Sequence, residues 1–256
     1  MAAPDEADTT TDFGFATIEL AEKQGLVDRV FDRVADRYDL MNDLMSGGLH
    51  RAWKAAMVTA LGLPQGVRRY RLLDVAGGTG DVAFRALRSG PGVEATLFDI
   101  NGAMLEVGRA RALDRGFGAR LAVTQGSAED LPFADGSFDG VTIAFGLRNV
   151  PRREKALAEM RRVLRPGGRF LCLEFSPTLT ASAIAPLYDA FSFHLIPRIG
   201  EAVAGDGEPY RYLVESIRRF HAPDDLADLM AEAGFGRVRW TPYSGGIANL
   251  HAAWRL

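Results

Sequence analysis

Leu72-Leu73-Asp74-Val75-Ala76-Gly77-Gly78-Thr79-Gly80-Asp81 decides how this chain folds. A short apolar run leads into an acid, three glycines surround Thr79, and a helical apolar pattern follows. This is the pattern of a buried parallel strand turning sharply into a helix. Glycine admits positive φ and lets a ligand approach the backbone closely. The helix start beyond it presents free N–H groups and a partial positive charge. The segment therefore reads as a nucleotide-cofactor loop.

Strand and helix patterns alternate outward from this loop. Strands are expected at Arg71–Val75, Ala95–Asp99, Arg120–Thr124, Phe138–Ala144 and Arg169–Glu174, then Val238–Thr241 and Ala248–Arg255. Helices are expected at Asp81–Arg88, Gly102–Asp114 and Glu154–Leu164, the last closed by Pro166-Gly167-Gly168, and at Pro223–Ala233. Repeated strand–helix units imply an α/β fold with a parallel sheet covered on both faces. Residues 1–25 read as a flexible acidic tail and 26–256 as a single domain. Within that domain, 26–65 form a helical lead-in and 176–220 a helical insertion after the fifth strand.

The chain has 256 residues and a formal net charge of −3, so no global basic field points to nucleic acid. Cys172 is the only cysteine, which excludes an intrachain disulfide and suits a reducing, cytoplasmic setting. It lies in an apolar run, as a small buried hydrophobe does. His50, His194, His221 and His251 are too scattered to propose a metal site. No apolar run is long enough to span a bilayer, so membrane contact would be peripheral.

The glycine loop alone fits two cofactors. Gly78-Thr79-Gly80-Asp81-Val82-Ala83 satisfies the dinucleotide pattern G-x-G-x-x-A, and an NAD(P)-dependent oxidoreductase stays open on that basis. Asp99 ends the second strand, where a carboxylate can accept hydrogen bonds from both ribose hydroxyls of either cofactor. Two features favour S-adenosylmethionine. Asp74 can face the amino group of a methionine moiety and would repel a pyrophosphate. Gly126-Ser127-Ala128-Glu129-Asp130-Leu131-Pro132-Phe133 offers polar groups beside an apolar wall, as adenine requires.

Together with Ser137-Phe138-Asp139 and Arg165-Pro166-Gly167-Gly168, these segments resemble the class I S-adenosylmethionine-dependent methyltransferases. More narrowly, Val30 to Asp43, with Tyr38-Asp39-Leu40-Met41-Asn42 at its centre, and Phe145-Gly146-Leu147-Arg148-Asn149-Val150 look like the ubiquinone/menaquinone biosynthesis C-methyltransferase family. The resemblance runs from about Val27 to the C-terminus. It implies a Rossmann-like fold with a seven-stranded, mostly parallel sheet and a helical N-terminal cover. The implied reaction is methyl transfer from S-adenosyl-L-methionine to a ring carbon of a polyprenylated benzoquinol or naphthoquinol. A non-catalytic quinone-binding protein, or a methyltransferase acting on another lipid or phenol, would share the fold.

The resemblance also distributes roles. Gly77, Gly78, Thr79 and Gly80 would cradle the cofactor, with Thr79 offering a hydroxyl. Asp74 would face its methionine end, Asp99 its ribose, and Ser127 and Ala128 its adenine. Met104 would pack on the adenine or in the core. Arg148 would stabilise phenolate charge or hold a water that carries the proton away, or else pair with a nearby acid. Asn149 would orient a ring oxygen and Tyr38 would hydrogen-bond one. His50 would accept a proton or be a satisfied core histidine. Ala185, Leu187, Tyr188, Phe191, Phe193, Leu195 and Ile196 would line an isoprenoid tail and touch a membrane surface, or form core under the insertion. Contact with other quinone-biosynthesis enzymes and a homodimer are compatible with all of this. The family often carries Ser where this chain has Ala144; if that Ser touches the cofactor, a hydrogen bond worth about 0.5–1.5 kcal/mol is missing here.

Overall fold

The computed structural model describes residues 9–34, 43, 46–179, 201 and 207–256, without the side chains of 31–34. Tyr38 and the apolar stretch 185–196 lie outside these residues.

Seven strands form the central sheet. In chain order they are β3 (Tyr70–Val75), β4 (Val93–Asp99), β5 (Leu121–Gln125), β6 (Phe138–Ala144), β7 (Leu164–Phe175), β8 (Gly236–Tyr243) and β9 (Ala248–Trp254). Across the sheet they run β5-β4-β3-β6-β7-β9-β8. The first five pair in parallel, whereas β9 pairs antiparallel with both β7 and β8. Pro242 is tolerated in β8 because this is the edge strand, where no further strand needs its missing N–H.

Strand alternation sends side chains to two cores, because successive residues point to opposite faces. Leu72, Leu97, Leu171 and Leu173 pack on one face against α2 (His50–Ala60), α3 (Asp81–Ser89), α4 (Gly102–Asp114) and α6 (Glu208–Arg218). Leu73, Phe98, Phe170 and Cys172 pack on the other against α5 (Arg153–Val163) and α7 (Pro223–Glu232). β6 is buried along its whole length, as a central parallel strand should be. Cys172 is fully buried, and burial pushes its thiol well above the ordinary range.

The chain leaves β3, builds β4 and β5 on one side, and returns to place β6 on the other. β3 and β6 therefore flank the switch point at which open α/β sheets bind ligands. Both strands are followed by a non-glycine residue with left-handed backbone, Ala76 at φ 48° and Phe145 at φ 59°. Conformations of that kind cost on the order of 1 kcal/mol or more and concentrate at functional sites.

The N-terminal segment differs from the expected tail. Thr10–Phe13 (β1) and Ala16–Glu19 (β2) form a hairpin around Gly14, whose φ of 59° suits the turn, and α1 spans Leu20–Val34. The acidic composition concealed two anchors. Phe13 stacks on Tyr212 with ring centroids 4.3 Å apart, and Asp12 pairs with Lys23 and Arg153 at 3.5 and 3.1 Å.

Candidate active site

A cavity of about 710 Å³, including its mouth, opens at the switch point. Its floor comes from the ends of β3, β4 and β6 through Val75, Phe98, Asp99 and Phe145. Ser127 and Ala128 form one side, and Gly146 and Asn149 another. Gln24, Val27 and Asp28 from α1 add a further wall; they share one helix face by their spacing. The chain therefore covers its own sheet end with an N-terminal helix.

Asp99 sits where the carboxylate was expected. Its Oδ2 accepts from the Gly78 N–H at 2.8 Å and its Oδ1 from the Asn101 N–H at 2.9 Å. Burial raises its pKa, against the pull of these N–H groups. Each oxygen retains acceptor capacity, so a vicinal diol can be held on the cavity side. Asn101 also caps α4, its Oδ1 accepting from the Met104 N–H at 2.9 Å. That cap fixes Met104, which lines the cavity.

The glycines are required by space. A Cβ on Gly77 would run into Leu97 Cδ1 and the Asp74 backbone, one on Gly78 would press on Met104, and one on Gly80 would strike the Phe84 ring. Gly78 and Gly80 also have positive φ, at 55° and 90°. Of the loop, Ala76 and Gly78 face the main cavity. Ala76, Gly77 and Thr79 face a smaller adjoining recess of about 320 Å³, with Asp74, Asp81 and Ala144. The Thr79 hydroxyl accepts from Arg111 Nη1 at 2.9 Å.

Asp74 is buried beneath the loop. Its Oδ1 accepts from Thr142 Oγ1 at 2.8 Å and its Oδ2 from the Ala83 N–H at 3.1 Å. Burial pushes its pKa up to about 7, although Thr142, the Ala83 N–H and Lys54 all oppose the rise.

Arg148 and Asn149 share a short 3₁₀ turn, Leu147–Asn149, just past β6. They part from there. Asn149 lines the main cavity, with its Oδ1 accepting from Tyr212 Oη at 3.0 Å. Arg148 is only 1% exposed and turns into the protein. Its Nη1 donates to Glu174 Oε2 at 2.8 Å and to the Phe145 carbonyl at 2.6 Å, so the acid-pairing alternative is realised. Its Nε and Nη2 have no hydrogen-bond partner among the described residues. His50 pairs with Asp43 at 2.8 Å and opens on a different recess, beside Arg51, Arg85 and Arg111. Burial first, then Lys54, hold its pKa below the ordinary value.

The structure thus brings Gly78, Asp99, Ser127, Ala128 and Asn149 around one cavity and Asp74, Gly77 and Thr79 around its neighbour. Gly80 supports the turn from behind, and Arg148 lies beneath it. Sequence reasoning missed Phe98, Ile100 and the α1 residues, which the i, i+3, i+4 spacing of Gln24, Val27 and Asp28 could have signalled.

A glycine cradle over a buried acid, a carboxylate ending the second strand and a polar–apolar pocket after the third define a class I S-adenosylmethionine-dependent methyltransferase. The folds of solved methyltransferases agree. One from Thermotoga maritima superposes with a TM-score of 0.61 at 21% identity, covering 89% of this chain and 99% of its own. A phosphoethanolamine N-methyltransferase from Haemonchus contortus, solved with S-adenosyl-L-methionine, gives 0.58 at 15% identity, covering 80% of this chain and 52% of its own. The chain belongs to the ubiE/COQ5 methyltransferase family, whose sequence pattern matches residues 18–255. The ubiquinone/menaquinone biosynthesis C-methyltransferase of Methylobacterium nodulans is 60% identical over 250 residues, 97% of this chain and 98% of that protein. Its counterpart from Bradyrhizobium sp. strain BTAi1 is 57% identical over 253 residues, 98% and 100% respectively.

Proposed function

We propose that this protein transfers the methyl group of S-adenosyl-L-methionine to a ring carbon of a polyprenylated benzoquinol or demethylmenaquinol in ubiquinone and menaquinone biosynthesis. The observation that carries this reading is the 60% identity to a C-methyltransferase of that pathway across nearly the whole chain. The cavity geometry supports it.

The bound cofactor supplies an electrophilic methyl group on a sulfonium. The protein's task is to hold donor and ring in line, exclude water and manage one proton. Asp99 takes the ribose diol, held in place by Gly78 and Asn101. Ser127 and Ala128 meet the adenine. Asp74 faces the methionine ammonium, and the Thr79 hydroxyl, which accepts from Arg111, keeps its own hydrogen to donate. Asn149, oriented by Tyr212, presents its amide to a ring oxygen. Arg148, buried on Glu174 beside the cavity, would act on the developing phenolate, or on a water that removes the ring proton, through Nε and Nη2 after a rearrangement of its turn on substrate binding. An arginine is not itself a base. Tyr38 hydrogen-bonds the second ring oxygen.

The isoprenoid tail requires an apolar route, which the stretch 185–196 supplies at the membrane surface. Among the described residues no helix is long and apolar enough to cross a membrane, so contact with the bilayer is peripheral in this reading. The deciding experiment is quinone profiling by mass spectrometry of a strain lacking the gene, with and without the plasmid-borne copy. A demethylated quinone that accumulates and disappears on complementation is the expected result. An unchanged quinone profile would refute the proposal.

A further inference from the structure

Lys54, on α2, is only 5% exposed and has no role in the reading above. Its Nζ lies 3.3 Å from Asp81 Oδ2 and 5.8 Å from the centre of the Phe145 ring. It forms one wall of the recess that also presents Asp74, Gly77 and Asp81, and Ala76 separates this recess from the main cavity. An ammonium carries three donors and is expensive to bury without matching acceptors.

Asp81 is its one ion-pair partner among the described residues, and it is shared with Arg85. Asp81 already pairs with Arg85 at 2.9 Å and lies in the first turn of α3, where the helix dipole favours an acid without Lys54. Asp74 accepts from Thr142 and Ala83 with one bond per oxygen, and each oxygen keeps capacity for a further donor. The recess presents one buried ammonium, Lys54, and one buried acid, Asp74. A ligand end bearing one carboxylate and one ammonium matches that arrangement.

We infer that Lys54 binds the carboxylate of the cofactor's methionine moiety, so that the enzyme discriminates cofactors that carry this carboxylate from those that lack it. The inference rests on the cofactor reading of the site. Asp74 and Lys54 divide the zwitterion between them, the acid facing the ammonium and the lysine the carboxylate. Binding energy from the non-reacting end of the donor then positions its reacting end.

The test is calorimetric titration of the purified full-length protein with three ligands: S-adenosylhomocysteine, its decarboxylated amine analogue, and 5′-methylthioadenosine. The wild type should bind S-adenosylhomocysteine at least tenfold more tightly than the decarboxylated analogue. Lys54→Met should erase that preference and leave affinity for 5′-methylthioadenosine within twofold of wild type. Lys54→Arg, which keeps the buried charge and guards against a folding defect, should retain most of the preference. Undiminished discrimination in Lys54→Met would overturn the inference, as would an equal loss for all three ligands, which would assign Lys54 to holding the loop. Failure of the wild type to bind any of the three would instead sink the cofactor reading.

Discussion

The carboxylate of Asp74 makes the stability of the unliganded protein depend on pH with an unusual sign. Burial moves its pKa from 3.8 to about 7. In the unfolded chain it ionises near 3.8, so between these values the folded state holds a proton that the unfolded state has lost. Stability from this group is complete below pH 3.8, falls as pH rises, and levels off above about 7. At about 1.4 kcal/mol per pH unit, the gap amounts to about 4 kcal/mol. Asp74→Asn removes this dependence. Asparagine can still accept from Thr142, but it turns an amino group toward the Ala83 N–H, a loss of about 1–3 kcal/mol at every pH.

Urea denaturation of both proteins without ligand at pH 5 and pH 8 isolates the term, because other titrating groups cancel in the difference. The wild type should lose about 3 kcal/mol relative to Asp74→Asn between these pH values. A difference between the two proteins that is constant within about 0.5 kcal/mol would show that Asp74 is already ionised at pH 5 and refute the reasoning. The same protonation couples to the ligand. A cationic amino group beside Asp74 favours its ionised form, so S-adenosylhomocysteine should bind the wild type more tightly at pH 8 than at pH 5.

Three further outcomes follow from the geometry around the switch point. Glu174→Gln leaves the Arg148 guanidinium buried without its counter-charge; urea denaturation should show a loss of about 3–5 kcal/mol, and a loss below about 1 kcal/mol would contradict it. Arg148→Lys keeps the buried charge but loses the forked donors; it should bind S-adenosylhomocysteine within threefold of wild type and, in a radiolabelled methyl-transfer assay, turn over quinol about 10²-fold more slowly or worse, wild-type turnover being the refuting result. Gly146→Ala places a methyl group against the Ala76 Cβ; thermal denaturation should show about 1–3 kcal/mol of destabilisation, and calorimetry a weaker cofactor interaction, while neutrality in both would show that the two loops can part freely.

The sheet was legible because its strands are short apolar runs separated by helical periodicity, and β3 to β7 lie close to where those runs stand. The glycine loop and Asp99 were legible because local geometry constrains residue type there: a Cβ at Gly77 has nowhere to go, and a carboxylate at the end of β4 has N–H groups waiting. The N-terminal hairpin was hidden, since Thr10–Phe13 and Ala16–Glu19 are too short and polar to signal strands by themselves. What holds them is long-range: Phe13 meets Tyr212, and Asp12 meets Arg153. Local pattern carries no trace of a partner nearly two hundred residues away.

Arg148 marks where motif reading stops. Its position beside Asn149 after β6 places it at the switch point, and both residues are there. The direction in which each side chain points depends on Glu174, contributed by the neighbouring strand β7, and on Tyr212, from α6 at the end of the insertion. Adjacent residues on one 3₁₀ turn face opposite ways, so the turn can couple them: Asn149 reads the cavity while Arg148 locks the turn to β7 through Glu174 and the Phe145 carbonyl. Phe145 is also the strained residue that follows β6, at φ 59°. The arginine that the motif singles out is therefore the brace for the backbone conformation shaping the cavity. Its replacement by an uncharged residue would remove the brace together with any chemical role, and the lysine variant, which keeps the buried charge, tests the proposed chemical role apart from support.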